Sequence, residues 1–251
     1  KSLLLFVFYC ETDALEEIES KPATDDPNTR WTNTFIWSST SDVDTFFNRF
    51  NHDNNYFDGS TKLYLGDNIT IKDGTYNAVW MIAGFDCEYN QTAADGTVYD
   101  NGYGICMIPK THVTNDNWNS TATVFGAYTS SHMHNNALPT IVTKLKNVLG
   151  SHIVNRNVLL SNSVDSNYYS NAYTWTKSHA TLMSVGQMTG KFASNYTKYD
   201  DGEATYKLPL FNYIDFYPWY DIWTREIYRK ENSDYYAAYI KSHSMLDDKV
   251  K

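Results

Sequence analysis

Residues 62–109 decide the fold, and they read KLYLGDNITIKDGTYNAVWMIAGFDCEYNQTAADGTVYDNGYGICMIP. Two short apolar runs, 69–71 and 78–83, flank turn residues at 72–75. A third apolar run, 104–108, follows a polar loop that contains two Asx-Gly pairs. Apolar runs separated by Gly, Asn and Asp are typical of antiparallel strands joined by turns. The stretch therefore predicts a β-meander.

Two segments outside the meander have helical periodicity. The first, 41–50, begins with Ser41 or Asp42 as the predicted cap. Its apolar face consists of Val43, Phe46, Phe47 and Phe50. The second has Pro139 in its first turn and Gly150 as its stop. Its apolar face consists of Ile141, Val142, Leu145, Val148 and Leu149. Because apolar residues recur every three or four positions in both segments, we expect two amphipathic helices.

The composition describes an acidic chain rich in tyrosine. It has 251 residues, a formal net charge of -9 and 21 Tyr. Nucleic-acid binding needs a basic face, so we expect no nucleic-acid partner. Tyrosine combines a large apolar area with a polar tip, which suits both sheet surfaces and recognition surfaces. Both uses stay open.

The beginning of the chain is apolar. Residues 3–9 form a short run that ends at Cys10, and the first residue is Lys1 rather than Met. The run is too short to span a bilayer and lacks the cleavage site of a signal peptide, so we expect no membrane partner. It predicts a buried strand, or a strand added to a neighbouring subunit. The missing Met suggests a processed chain or a fragment.

An acidic stretch with Pro22 and Pro27 follows this run. It predicts a short helix at 15–18 and then a linker. A further strand is expected at 31–37. We therefore expect an N-terminal arm over residues 1–30 and one domain over residues 31–251.

Sequence patterns of catalysis and metal binding are weak in this chain. Three cysteines without CxxC spacing favour reduced thiols, although Cys87 and Cys106 could face each other on neighbouring strands. His132 and His134 would share one face if they lay on a strand, as half of a metal site. The carboxylates Asp200, Asp201 and Glu203 lie in a Gly-containing loop that is typical of a solvated turn. We therefore expect no enzyme, no metal and no cofactor.

Several segments, in order, resemble a domain found in structural proteins of tailed bacteriophages that infect Gram-positive hosts. These segments are Leu65-Gly66-Asp67, Trp80 to Asp86, Ala94 to Ile105, Gly126-Ala127-Tyr128, Ser130 to Met133, Leu138-Pro139, Gly150-Ser151-His152, Leu182-Met183-Ser184, Leu208 to Phe211 and Trp223-Thr224-Arg225. The resemblance implies an α+β, C-type-lectin-like fold with a small twisted, mainly antiparallel sheet, two helices and long loops. It does not imply calcium-dependent sugar binding, because Trp118-Asn119-Ser120 only echoes one of the calcium motifs.

The family usually closes its sheet with a C-terminal Gly-Val-Arg-Pro strand, which this sequence lacks. Either the domain is without its closing strand, or another segment replaces it. The apolar run at 3–9 is the candidate replacement, from the same chain or from a neighbour.

The resemblance also implies a role in the virion. We expect a fibre, tail-tip or capsid-decorating subunit on the outside of the particle, which forms a homo-oligomer and contacts other virion proteins. A glycan or protein of the host surface is the further expected partner. The alternatives are an architectural collar or decoration protein without a receptor role, and a cell-wall or glycan hydrolase.

The predicted host-contact surface lies on the loops at 161–173 and 194–206, beside the segment 225–239. All three are rich in Tyr, Asn and Ser, a composition that makes adaptable contacts around rigid aromatic anchors. The candidate binding residues are Tyr168, Tyr169, Tyr196, Tyr199, Arg225, Tyr235 and Tyr236. The alternative is that these loops are only solvated, or that they contact other virion subunits.

Overall fold

The computed structural model describes residues 2–4, 6–11, 34–51, 56–57, 61–87, 91–92, 95–100, 104–110, 113–114, 116–119, 126–164, 170–189, 207–212, 221–229 and 235–240. These residues form a mixed α+β structure, which confirms the predicted class. The strands are β1 Ser2–Leu4, β2 Phe6–Glu11, β3 Thr34–Trp37, β4 Phe50–Asn51, β5 Tyr56–Phe57, β6 Thr61–Lys62, β7 Asn68–Asp73, β8 Tyr76–Phe85, β9 Gln91–Thr92, β10 Val98–Tyr99, β11 Gly104–Pro109, β12 Arg156–Val164, β13 Ser170–Ser178, β14 Ala180–Leu182, β15 Asp221–Arg229 and β16 Tyr235–Ile240. The α-helices are α1 Thr40–Arg49, α2 Leu138–Leu149 and α3 Val185–Thr189. Shorter helical turns are Tyr128–Ser130, Met133–Ala137, Gly150–His152 and Pro209–Asn212.

A six-stranded sheet with the order β14-β2-β11-β8-β7-β3 forms the centre. Only the pairing of β3 with β7 is parallel within this sheet. The smaller sheets are β1-β15-β16, β12-β13, β9-β10 and β4-β5-β6. The strands β7, β8 and β11 are the predicted meander. Asp73 pairs with Tyr76, so two residues make the first turn, and Gly74 takes its positive φ of 56°. Glycine has no Cβ and adopts this conformation without strain.

The strand β8 contributes most to the core. Tyr76, Ala78 and Trp80 are buried while Asn77 is exposed, which is the alternation of a strand with one covered face. From Met81 onward both faces are buried, since helical elements contact the sheet and the turn at 209–212 packs against β8. Trp80 and Ile82 are fully buried.

The helix α2 matches its prediction. Its buried residues are Leu138, Ile141, Leu145, Val148 and Leu149. Gly150 caps the helix with φ 56°, and its N–H donates to the carbonyl of Lys146. The helix contacts β7 and β14, and α1 contacts β3 and α2. His152 joins the two helices, because its Nε2 lies 2.8 Å from Asp44 Oδ1 and its ring stacks on Phe47.

The start of α1 corrects the prediction of its cap. The Oγ of Ser39, not of Ser41, accepts the N–H of Asp42 at 3.3 Å. The carboxylate of Asp42 in turn accepts the N–H and the hydroxyl of Ser38 at 2.7 and 2.8 Å. These bonds lower the pKa of Asp42, with the backbone of Ser38 as the largest cause. Four cap-type residues in succession, 38–41, make the composition ambiguous here. The helix ends at Arg49, so Phe50 belongs to β4 instead.

The apolar N-terminal run forms two strands. The strand β1 runs parallel to β15, and β2 lies between β11 and β14, antiparallel to both. The predicted strand is therefore present, and both neighbours of β2 belong to the same chain. The helix predicted at 15–18 and the linker that follows it lie outside the described residues.

Cys87 and Cys106 are not joined by a disulfide, and Cys106 is buried. In the described part of the chain, no helix is long and apolar enough to cross a membrane.

Candidate functional site

The predicted contact tyrosines are only partly covered by the structure. Tyr168, Tyr169, Tyr196 and Tyr199 lie outside the described residues. Tyr235 and Tyr236 belong to β16, where they pair with Arg229 and Tyr228 of β15.

Arg225 lies inside the domain rather than on the predicted surface. Its side chain is 3% exposed. Its Nη1 donates to Thr181 Oγ1 at 3.3 Å, and its backbone N–H donates to the carbonyl of Met183, also at 3.3 Å. Arg225 therefore connects β15 to the strand β14 and the residue that follows it.

The segment Leu65-Gly66-Asp67 is a buried corner that precedes β7 and bonds to β8. The N–H of Gly66 donates to the carbonyl of Ile82 at 2.7 Å, and the N–H of Ile82 donates to the carbonyl of Asp67 at 3.1 Å. Asp67 is fully buried, and its Oδ2 accepts the N–H of Tyr64 at 3.0 Å. A buried carboxylate needs such donors. The motif thus closes the turn that leads into β7.

Two further hydrogen bonds join residues that are far apart in the sequence. Trp118 Nε1 donates to the carbonyl of Thr224 at 3.1 Å. The phenol oxygen of Tyr128 accepts the N–H of Leu182 at 2.9 Å. Both rings are buried. These hydrogen bonds use the polar atoms of the two side chains to hold the fold.

The two histidines at 132 and 134 are not arranged as the metal-site alternative would need. His132 and His134 lie at a helical turn rather than on a strand. His132 Nε2 lies 3.2 Å from Asp116 Oδ1, whereas the ring of His134 packs against that of Tyr128. Within the described ranges, no three His, Cys, Asp or Glu side chains come together as a metal site would require. Asp200, Asp201 and Glu203 lie outside those ranges.

A cleft of about 410 Å³ lies between α2 and the junction of β13 with β14. The first wall comprises the turn Met133–Ala137 and one side of α2, and the second comprises residues 177–180. Leu138, Pro139, Val142 and Ala180 supply the apolar part of its lining. The polar part includes His134, His179, Lys146, Lys177, Asn155 and Ser178. We refer to this site as the His/Lys cleft.

The charged side chains in the described lining of the His/Lys cleft are positive. Among the residues that the structure describes, none that lines the cleft is Asp or Glu. Burial lowers the pKa of the His134 imidazole. Burial also lowers the pKa of His179, with a further lowering by the charge of Lys146 and an opposing effect from the backbone of Val154 and Ile153. The Nδ1 atoms of both rings are buried, and within the described residues neither has a hydrogen-bond partner. The cleft thus presents two ammonium groups beside two imidazoles whose neutral forms are favoured.

The sequence contained only a partial signal for this cleft. Its HxH pattern pointed to His134, but only as half of a metal-binding site. Lys146, Lys177 and His179 had no motif of their own, and only the packing of α2 against β14 brings them to one place.

No protein-family model matches the chain, and comparisons with curated proteins and with solved structures gave no match either.

Proposed function

We propose that this chain is a structural protein of a tailed bacteriophage virion, with a C-type-lectin-like fold. In this proposal it is a fibre, tail-tip or capsid-decorating subunit that contacts the host surface. The proposal comes from the ordered phage-like segments of the sequence. The mixed α+β architecture agrees with it at the level of fold class.

One observation supports the proposal most directly: the phage-like segments interlock. The segment at 65–67 bonds to Ile82 of β8, and Arg225 of the Trp223-Thr224-Arg225 segment bonds to Met183 of the Leu-Met-Ser segment. Tyr128 of the Gly-Ala-Tyr segment bonds to Leu182 of the Leu-Met-Ser segment. Residues that hold distant parts of a chain together specify a fold rather than a reaction. A resemblance built from such residues is therefore a resemblance in fold.

An architectural role without receptor binding is the second candidate, and the edge of the central sheet that has no further strand among the described residues favours it. The strand β3 is the last strand at that edge, and Ile36 on it is 57% exposed. Edge strands offer unpaired backbone groups to another chain. In this candidate, β3 contacts a neighbouring subunit.

Particle sedimentation tests the virion assignment. A lysate of the bacterium that carries this gene is separated on a density gradient, and the chain is followed with a specific antibody. We expect it to sediment with tailed particles and to stay with them after a high-salt wash. Recovery only in the free protein fraction would reject a virion role, and release of sugars from host envelopes by the purified chain would favour the hydrolase alternative.

An adsorption assay separates host contact from architecture. We expect Tyr168, Tyr169, Tyr196 and Tyr199, replaced together by Ser, to weaken binding of the purified chain to host cells while the melting temperature stays close to that of the wild type. The matched control replaces Tyr99 and Tyr64, which lie outside the proposed surface, by Phe. Unchanged adsorption by a folded quadruple variant would favour the architectural role.

A further inference from the structure

We propose that the His/Lys cleft binds a small anionic ligand, one that carries a phosphate or carboxylate group on a body with an apolar face. The proposal depends only on the cleft and holds whether or not the chain is a virion protein.

The charge of the His/Lys cleft is opposite in sign to the net charge of the chain. Asp and Glu number 29, while Lys and Arg number 20. Although the chain as a whole is acidic, the described lining of the cleft contains two lysines and no carboxylate. Neither Lys146 nor Lys177 makes an ion pair with any described residue. An anion between them would be attracted by both ammonium groups.

The surroundings of the two imidazoles in the cleft favour their neutral forms. The charged groups that face them from the packed elements are Lys146 on α2 and Lys177 on β13, and the phenol ring of Tyr128 lies against His134. Burial lowers the pKa of both imidazoles, and the charge of Lys146 lowers that of His179 further, so the unliganded cleft disfavours protonation of either ring. An anion in the cleft would reverse this, and the rings would then take up protons. Binding is therefore coupled to proton uptake and strengthens as the pH falls.

The size and the lining of the His/Lys cleft suit a small molecule. Pockets for small molecules span about 300–1,000 Å³ and combine apolar walls with a few polar groups. The His/Lys cleft, at about 410 Å³, lies at the lower end of this range. Leu138, Pro139 and Val142 supply an apolar wall, while Asn155 and Ser178 add neutral polar groups beside the lysines. This combination fits a single acidic monosaccharide or a ligand of similar size.

The test is an NMR titration of the full chain with three probes: inorganic phosphate, glucuronate and glucose. We expect saturable shifts at residues 146, 155 and 177–179 with one or both anions, and none with glucose. Binding of phosphate alone would assign the ligand to phosphate chemistry, and binding of glucuronate alone to carboxylate chemistry. Failure of both anions, equal shifts with glucose, or shifts that map elsewhere would overturn the proposal.

Charge-matched variants make the test specific. The Lys146→Gln, Lys177→Gln double variant should bind about fivefold to tenfold more weakly, since each exposed ion pair contributes modestly. Its control is Lys72→Gln, Lys144→Gln, which removes two charges outside the cleft; Lys144 lies over the ring of Tyr76. The control should bind within about twofold of the wild type. Equal weakening in both variants would show that only the overall charge matters and would overturn the proposal.

The glucuronate titration, repeated at pH 7.5 and pH 5.5, examines the imidazoles, because this carboxylate stays ionised throughout. We expect tighter binding at the lower pH in the wild type, and a smaller change in a His134→Gln, His179→Gln variant. The same pH dependence in both proteins would exclude the imidazoles from the site.

Discussion

The phenol oxygen of Tyr128 accepts a hydrogen bond from the backbone N–H of Leu182, 2.9 Å away in the core. Tyr128 is fully buried and belongs to the turn after residue 126, whereas Leu182 ends β14. One side chain thereby satisfies a backbone donor that would otherwise be buried without a partner.

Replacing Tyr128 by Phe should destabilise the protein by about 1–2 kcal/mol, because the Leu182 N–H is left unsatisfied while the ring stays in place. Urea unfolding measures the effect. Tyr99→Phe is the control, since Tyr99 contacts Trp175 through its ring, at 4.4 Å between centroids. Equal stability of Tyr128→Phe and the wild type would argue that this hydrogen bond is not made in solution.

Trp80→Ala should lower the free energy of unfolding by about 3–5 kcal/mol, because a fully buried indole leaves a large cavity. Asn77→Ala, on the exposed side of the same strand, should change it by less than about 0.5 kcal/mol. Denaturant midpoints compare the two. A near-native midpoint for Trp80→Ala would refute the burial of this side chain in β8.

Val7→Pro should destabilise the fold by about 3 kcal/mol or more, because proline has no N–H to donate within a strand paired on both sides. Val7 pairs with Thr181, and β11 flanks the same strand. Low soluble yield and a loss of cooperative unfolding are the expected observations. Thr34→Pro, at the first residue of the edge strand β3, should have a much smaller effect. Similar stability of the two proline variants would show that β2 does not occupy an interior position.

Acidification should weaken the fold through His134 and His179. Burial lowers the pKa of both below the usual value of about 6.5, so the unfolded chain binds their protons first. This stabilisation is complete above about pH 6.5 and is lost as the pH falls through that value towards the folded-state pKa. Unfolding of the wild type and of His134→Gln, His179→Gln at pH 7.5 and 5.5 measures it. The wild type should lose more stability than the variant, and parallel losses would contradict the argument.

Local signals in the sequence predicted the meander and both long helices. Gly74 and the apolar runs around it identify the β7–β8 turn, and Pro139 with Gly150 delimits α2. These features depend on residues close together in the chain, which is why they are readable without a structure. The cap of α1 was misplaced because four candidates follow one another and only the geometry selects Ser39.

Features that depend on contacts between distant segments of the chain could not be predicted from local sequence signals. The run at 3–9 was recognisable as a strand, but nothing near it indicates β11 and β14 as its neighbours. The burial of Arg225 depends on Thr181 and Met183, more than 40 residues earlier. The His/Lys cleft is of the same kind, since Lys146 and Lys177 meet only after α2 has packed on β14.

The interior position of β2 affects how the protein is made. When this strand leaves the ribosome, the segments that become β11 and β14 have not yet been synthesised. This strongly apolar segment therefore stays unpaired until its neighbouring strands have been synthesised. Until then, pairing with another nascent copy competes with correct folding. Synthesis of this protein should accordingly benefit from slow translation at low temperature or from a chaperone that shields β2.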